Sequence, residues 1–249
     1  MPSDITTPWP DACMGAVSLT FDDGRASQLE KAVPIMADLG LRGTFYLNPR
    51  DGFDLAPWRV LSQAGHEIGN HTVTHPCSRA LGDVPNVRCL ETLTLDDVEA
   101  DILEASRRLR AGIPEQAEFT FCYPCYQDHV GEGLTRRSYV PLVAKHFIAG
   151  RGRGEWGHNH PATCDLANLY SWNAEFMSGP VLVGLAQQAV SKRRWVIFTV
   201  HGIEDGHLPL AEVALTELCR FLRDRRADIW TAPVVEVAAA VKAWRAAGR

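Results

Sequence analysis

The chain has 249 residues, 46% hydrophobic and 22% charged, which is the composition of a globular α/β domain and leaves little room for disordered or fibrous readings. Its formal net charge is −5 and its lysines and arginines are scattered, so it lacks the basic footprint of a nucleic-acid binder. No window of about 18 apolar residues occurs, so no membrane span is expected, and the opening MPSDITTPWPDACMG has no basic segment leading into an apolar core.

One domain covering residues 1–249 is expected, with its elements in β/α alternation. Strand-like AVSLTF (16–21) precedes helical ASQLEKAVPIMADLG (26–40), and strand-like RGTFYL (42–47) precedes helical PWRVLSQAG (57–65). Strand-like HEIGNH (66–71) leads through a long stretch (77–93) to a helix over 93–112, where Thr94 with Asp97 forms a capping-box pattern. Strand-like EFTFCY (118–123) follows, then a helix (138–146), FIAG (147–150), a helix (178–192), RWVIFTVHG (194–202), a helix (209–225), DIWTA (228–232) and a last amphipathic helix (233–246). Seven strand candidates interleaved with helices predict a distorted (β/α) barrel of about seven parallel strands, an open doubly wound sheet being the alternative. The aperiodic stretches 77–93, 127–138 and 151–165 read as loops, and in such barrels the loops after strands build the site.

Chemistry enters at the end of the first strand, where LTFDDG sets Asp22 and Asp23 side by side. Two adjacent carboxylates gain nothing from packing unless a cation or a proton-transfer task holds one of them; the plainer reading is a turn that caps the next helix. HEIGNHTVTHP (66–76) then supplies His71 and His75, whose spacing of four would put both imidazoles on one face of a helical turn. Two imidazoles and one aspartate make the open three-ligand set of hydrolytic metals. Ligand type favours Zn²⁺, and Co²⁺, Ni²⁺ or Fe²⁺ also accept such a set.

Together these segments resemble the first two motifs of the polysaccharide deacetylases of carbohydrate esterase family 4 type, T-F-D-D-G and H-[ST]-x-x-H. GTFYLNP between them and VIFTVHG near the end also look like that family. The resemblance implies a metal-dependent hydrolase of acetamides or acetate esters on carbohydrate, in which Asp22 is the general base, Asp23, His71 and His75 hold the metal, and His201 is the general acid. It also implies an oxyanion donor at the Tyr123 main-chain N–H. Two departures stand out. Cys122, in FCYPCYQ, occupies the place of the family's arginine, and AGRGRGEW carries no match to the fourth motif, an aspartate and a tryptophan that tune the acid. Arg151 is the candidate replacement for the missing arginine, a surface loop charge being the alternative.

Seven cysteines without regular spacing argue against a disulfide framework, and Cys122-x-x-Cys125 reads as packed core before redox pair or second metal site. His66 and His146 read as structural, Glu204, Asp205 and His207 as solvated neighbours of His201, and Trp156 beside His158 and His160 as a possible sugar-groove wall. The expected partner is an acetylated carbohydrate. A small non-carbohydrate amide or cyclic ureide, or a carbohydrate-binding pseudoenzyme, are the competing readings. A cytoplasmic location is the simplest inference, although a mature secreted chain would read the same.

Overall fold

The computed structural model describes residues 7–81, 89–152 and 159–248. Its frame is a parallel sheet built on β1 (Gly15–Asp22), buried along its whole length. On one side of β1 lie β2 (Thr44–Leu47), β3 (Glu67–Asn70), β4 (Phe121–Cys122) and β5 (Gly150–Arg151); on the other lie β7 (Trp195–Val200) and then β6 (Trp172–Asn173). A short β8 (Ile229–Thr231) pairs with Gly15–Val17 of β1, below the point where β2 takes over at Thr20–Asp22.

The two outer strands come together. Leu169, three residues before β6, accepts from Gly152 N–H at 2.8 Å and donates to Gly150 O at 2.7 Å, a single parallel bridge to Arg151. The sheet therefore curls into a seven-strand distorted barrel, with β8 as an eighth strand outside the ring. Trp172–Asn173 was not expected as a strand: it has two residues and no apolar run to announce it.

Alternation along β1 sorts its side chains. Val17, Leu19 and Phe21 pack outward with Leu182 and Ala186 of α5 (Gly179–Lys192) and Leu215 and Leu218 of α6 (Glu212–Asp224). Ala16 turns the other way, into a cluster with Leu169, Trp195 and Ile197 that α7 (Val234–Ala246) closes with Val237 and Val241. Ser18 and Thr20 are buried beside it and donate to Ala232 O and Phe198 O, each at 2.7 Å, so their polarity is satisfied. Asp22 ends this polar row.

Helices follow their end signals. The first expected helix begins as a π turn, Gln28–Ala32, and becomes α1 only at Val33–Asp38. Pro34 cannot donate to the preceding turn, and the wider turn absorbs the missing bond. α2 (Ala56–Gln63) and α4 (Val140–His146) each carry proline in the first turn, and α3 (Leu95–Gly112) has the full Thr94/Asp97 capping box. In β3, Gly69 has no side chain because Tyr46 fills the space: a Cβ there would stand 2.3 Å from Tyr46 Cδ1.

The cysteine reading needs correction. Cys77 and Cys125 form a disulfide with Cα atoms 5.7 Å apart. Closing a 48-residue separation in this way removes, on a chain-entropy basis, about 4 kcal/mol of unfolded-state freedom. Cys122 is buried and free, as a packed-core reading of it expects.

Candidate active site

Every site residue expected from the sequence lies at or just beyond the C-terminal end of a parallel strand, the end where such barrels gather chemistry. Asp22 closes β1, His71 follows β3, Tyr123 follows β4, Arg151 closes β5 and His201 follows β7. All of these but the fully buried Arg151 border a cleft with a volume of about 330 Å³, which is also lined by Leu81, Tyr126 and His207.

Asp22 and Asp23 part company at once. Asp22 stays extended and points into the barrel, 2% exposed, whereas Asp23 has φ +73 and Gly24 φ +63, a left-handed turn that swings the second carboxylate toward β3. There Asp23 Oδ1 stands 3.6 Å from both His71 Nε2 and His75 Nε2, and the two nitrogens are 3.1 Å apart. Two donors at about 2.1 Å from one ion across a tetrahedral angle stand about 3.4 Å apart, so these residues fit a shared divalent cation.

The histidines do not share a helical face. Residues 71–78 form an irregular loop in which Thr72 (φ +61) and His75 (φ +51) are left-handed. Asn70 Oδ1 accepts from Thr72 N–H (2.8 Å), Asp101 Oδ1 from Val73 N–H (2.8 Å), and Thr72 Oγ1 from His75 N–H (3.0 Å). His71 Nδ1 meets Cys122 O at 2.9 Å, which leaves Nε2 as the nitrogen that could ligate an ion. Burial, then the neighbouring His75, pushes the His71 imidazole down to about 4, so it is neutral near pH 7 and its lone pair is available.

Arg151 lies inside the barrel, fully buried, with its guanidinium beside Asp22. One nitrogen, Nη2, reaches both carboxylate oxygens at 2.6 and 2.5 Å, while Nη1 turns to Thr199 Oγ1, so the contact is a one-nitrogen bridge and not a two-nitrogen fork. The rings of Tyr46 and Tyr126 flank the cation at 5.2 and 5.7 Å. Cys122 Sγ sits 2.6 Å from Nη2 and 3.6 Å from Asp22 Oδ2, a neutral thiol because burial pushes its pKa far up. Burial also pushes the Asp22 carboxyl up, but Arg151, His71 and His201 together outweigh it and hold Asp22 below its ordinary range.

His201 Nε2 is 3.9 Å from Asp22 Oδ2, and its Nδ1 lies 3.0 Å from Glu175 Oε1. Burial lowers the His201 pKa; Glu175 first, then Asp22 and Asp23, more than compensate and leave it raised. Glu175 was not anticipated. It follows the unanticipated strand β6, and a carboxylate just past an aromatic-containing Ser-Trp-Asn was the one signal available. The acids that follow His201 in sequence are exposed, as a solvated reading expects, and point elsewhere: Glu204 binds Lys31 at 2.9 Å, and Asp205 accepts from Ser27 Oγ at 3.2 Å. Gln28, fully buried, joins the ends of β1 and β7 by donating from Nε2 to Asp22 O (2.6 Å) and His201 O (2.8 Å).

The Tyr123 N–H does not face the cleft: it donates to Arg151 O at 3.1 Å within the β4–β5 ladder. Two residues on, Cys125 borders the cleft, and its N–H has no protein acceptor among the described residues. His66 and His146 are structural: His66 Nδ1 accepts from Gly43 N–H at 3.1 Å, and His146 Nε2 pairs with Glu99 at 2.6 Å. Trp156 and His158 lie outside the described residues.

The family model for polysaccharide deacetylase matches residues 11–130, which include Asp22, Asp23, His71, His75 and the disulfide. Among curated proteins, a chitin deacetylase of Arthroderma benhamiae is 27% identical over 134 residues, 52% of this chain and 33% of that one. A chitooligosaccharide deacetylase of Sinorhizobium fredii is 31% identical over 137 residues, 53% of this chain and 56% of that one. The matched segments thus span a third to about half of those relatives. Among solved structures, a family 4 acetyl xylan esterase from Clostridium thermocellum in complex with cobalt aligns with TM-score 0.56 at 16% identity, covering 89% of each chain. The Xyl-CE4 domain of a xylanase from a Trinervitermes trinervoides hindgut metagenome gives 0.57 at 15%, covering 92% and 91%. A CE4 family pseudoenzyme from Bacillus anthracis gives 0.56 at 14%, covering 90% of this chain and 65% of that one. At such identities these structures speak to the fold alone.

Proposed function

Since the chain belongs to the polysaccharide deacetylase family, we propose that it is a divalent-metal-dependent hydrolase that removes acetyl groups from an N-acetylated or O-acetylated carbohydrate. The observation that carries this reading is the meeting, around one cleft, of a three-donor metal triangle, a buried ionised carboxylate and a carboxylate-backed histidine. Asp23, His71 and His75 hold the ion; two imidazoles and a carboxylate favour Zn²⁺, with Co²⁺, Ni²⁺ and Fe²⁺ as alternatives. When bound, the ion supplies Lewis acidity toward water and the acyl oxygen.

The chain's own groups carry the protons. Asp22, kept ionised by Arg151, accepts the proton of the attacking water, and His201, whose protonated form Glu175 favours, delivers one to the leaving nitrogen or oxygen. The Cys125 N–H, in place of Tyr123, is the main-chain donor available to the developing oxyanion. Similarity to deacetylases of chitin and chitooligosaccharide supports N-acetylglucosamine oligomers as first substrates to try, ahead of small amides. A pure binding protein has no use for a base with a dedicated arginine or an acid with a dedicated carboxylate, which weighs against a pseudoenzyme.

Metal analysis of the purified protein, paired with acetate release from N-acetylglucosamine oligomers, acetylated xylan and small amides, tests the reading. One equivalent of metal and acetate from a carbohydrate are expected; acetate from none of the carbohydrates overturns the proposal.

Glu175→Gln isolates the acid. The amide removes the largest influence that raises the His201 pKa, so the imidazolium loses its proton at lower pH and the basic limb of the kcat profile moves down. The rate on the basic side should fall about tenfold for each unit the limb moves. A basic limb that stays in place removes Glu175 from this role.

No helix among the described residues is long and apolar enough to cross a membrane. The Cys77–Cys125 bridge supports a location in an oxidising compartment over the cytoplasmic one expected from the sequence.

A further inference from the structure

Two of the triangle's three donors, His71 and His75, lie on the 71–78 loop, and the main chain of Cys125 lies in the short turn that follows β4. The 71–78 loop turns at Thr72 and His75, and the turn after β4 has both Cys125 (φ +51) and Tyr126 (φ +58) left-handed, conformations that non-glycine residues adopt only when their surroundings impose them. The disulfide joins the two, two residues beyond His75 on one side and at Cys125 itself on the other. Gln127 Oε1 accepts from Ser78 N–H at 2.7 Å and extends the same seam.

The two histidines are also backed differently. A metal-binding imidazole is usually aimed by an acceptor on its other nitrogen, and His71 has one in Cys122 O at 2.9 Å. His75 has no carboxylate or carbonyl recorded at Nδ1 among the described residues; the group beside it is Cys77 Sγ, at 3.6 Å. A bonded sulfur is a weak acceptor, so it places the ring by contact more than by hydrogen bonding.

We propose that the Cys77–Cys125 disulfide is a positioning bridge for the reaction centre, fixing the aim of His75 and the placement of the Cys125 N–H relative to each other. This rests on the metal reading given above. The bridge takes no part in the chemistry; without it both loops gain alternatives, metal affinity falls, and the Cys125 N–H loses its fixed place at the cleft.

Cobalt(II) titration followed by visible absorption tests this, on wild-type protein, a Cys77→Ser/Cys125→Ser variant and a His71→Ala/His75→Ala variant, well below their unfolding temperatures. The serine variant is expected to bind Co²⁺ at least tenfold more weakly, with an altered ligand-field spectrum, and to lose about tenfold in kcat when metal is saturating. Wild-type affinity, spectrum and kcat in a folded serine variant overturn the proposal and leave the bridge as a stabilising crosslink. Equal Co²⁺ binding by the wild type and the double-alanine variant shows instead that the metal reading itself is wrong. If the serine variant does not fold, metal-loaded wild type is treated with a trialkylphosphine, which becomes the phosphine oxide as water supplies the oxygen and the two thiol protons. Turnover should fall on reduction and return on reoxidation, and an unchanged rate overturns the proposal.

Discussion

Asp22→Asn is expected to keep the metal, to lower the melting temperature because the buried Arg151 loses its anion, and to lower kcat by about 10²–10⁴-fold, the usual cost of removing a general base. The amide has the shape of the carboxylate but cannot take a proton, and its oxygen still accepts from Arg151 Nη2, which now bridges both carboxylate oxygens. Asp23, His71 and His75 are left untouched, so metal content reports the triangle separately from the chemistry. Single-turnover acetate release together with metal analysis makes the check. A rate within threefold of wild type would move the base elsewhere, and the exposed Glu204 and Asp205, both engaged with basic residues away from His201, are poor substitutes.

Arg151→Met is expected to cost about 10²-fold in kcat, the scale of a misplacement of roughly 1 Å at a reacting group. Methionine fills the space between Tyr46 and Tyr126 but leaves a buried carboxylate without its cation. Breaking such a pair typically costs about 3–5 kcal/mol, so the melting temperature should fall as well. The sign of the pH effect follows from the causes: burial raises the Asp22 pKa and Arg151 is the largest force lowering it, so the acid limb of the rate moves to higher pH when the arginine goes. Arg151→Lys should restore part of the rate, since a single nitrogen makes the observed contact, while the ammonium cannot also reach Thr199 in the guanidinium's plane. An unmoved acid limb in Arg151→Met would mean that Asp22 does not depend on this partner.

The sequence showed most plainly what strand ends encode. An apolar run closing on Asp22-Asp23-Gly24, and another closing on His201, announce a buried strand and its chemical terminus together. His71 and His75 were legible as neighbours but not in their geometry, because the left-handed turns at Thr72 and His75 depend on side chain to main chain hydrogen bonds, from Asn70 and Thr72 locally and from Asp101 across the fold, that a spacing rule does not express. Glu175 was hidden because its strand is two residues long and held by β7, with no periodicity of its own. The Cys77–Cys125 pair was hidden because its members meet only after β3 and β4 have paired, which no spacing rule expresses. The barrel class itself rested on alternation alone, and its seam at Leu169 lies in a stretch that reads as loop.

The amide of Gln28 works as a caliper. It spans the main-chain carbonyls of Asp22 and His201, so the gap between the proposed proton acceptor and proton donor is set by backbone and by a side chain that enters neither proposed transfer. The catalytic side chains can therefore be exchanged for isosteres without moving that gap. A carboxylate at residue 28 has the same outline but no proton for either carbonyl, and it would spoil the spacing of both at once.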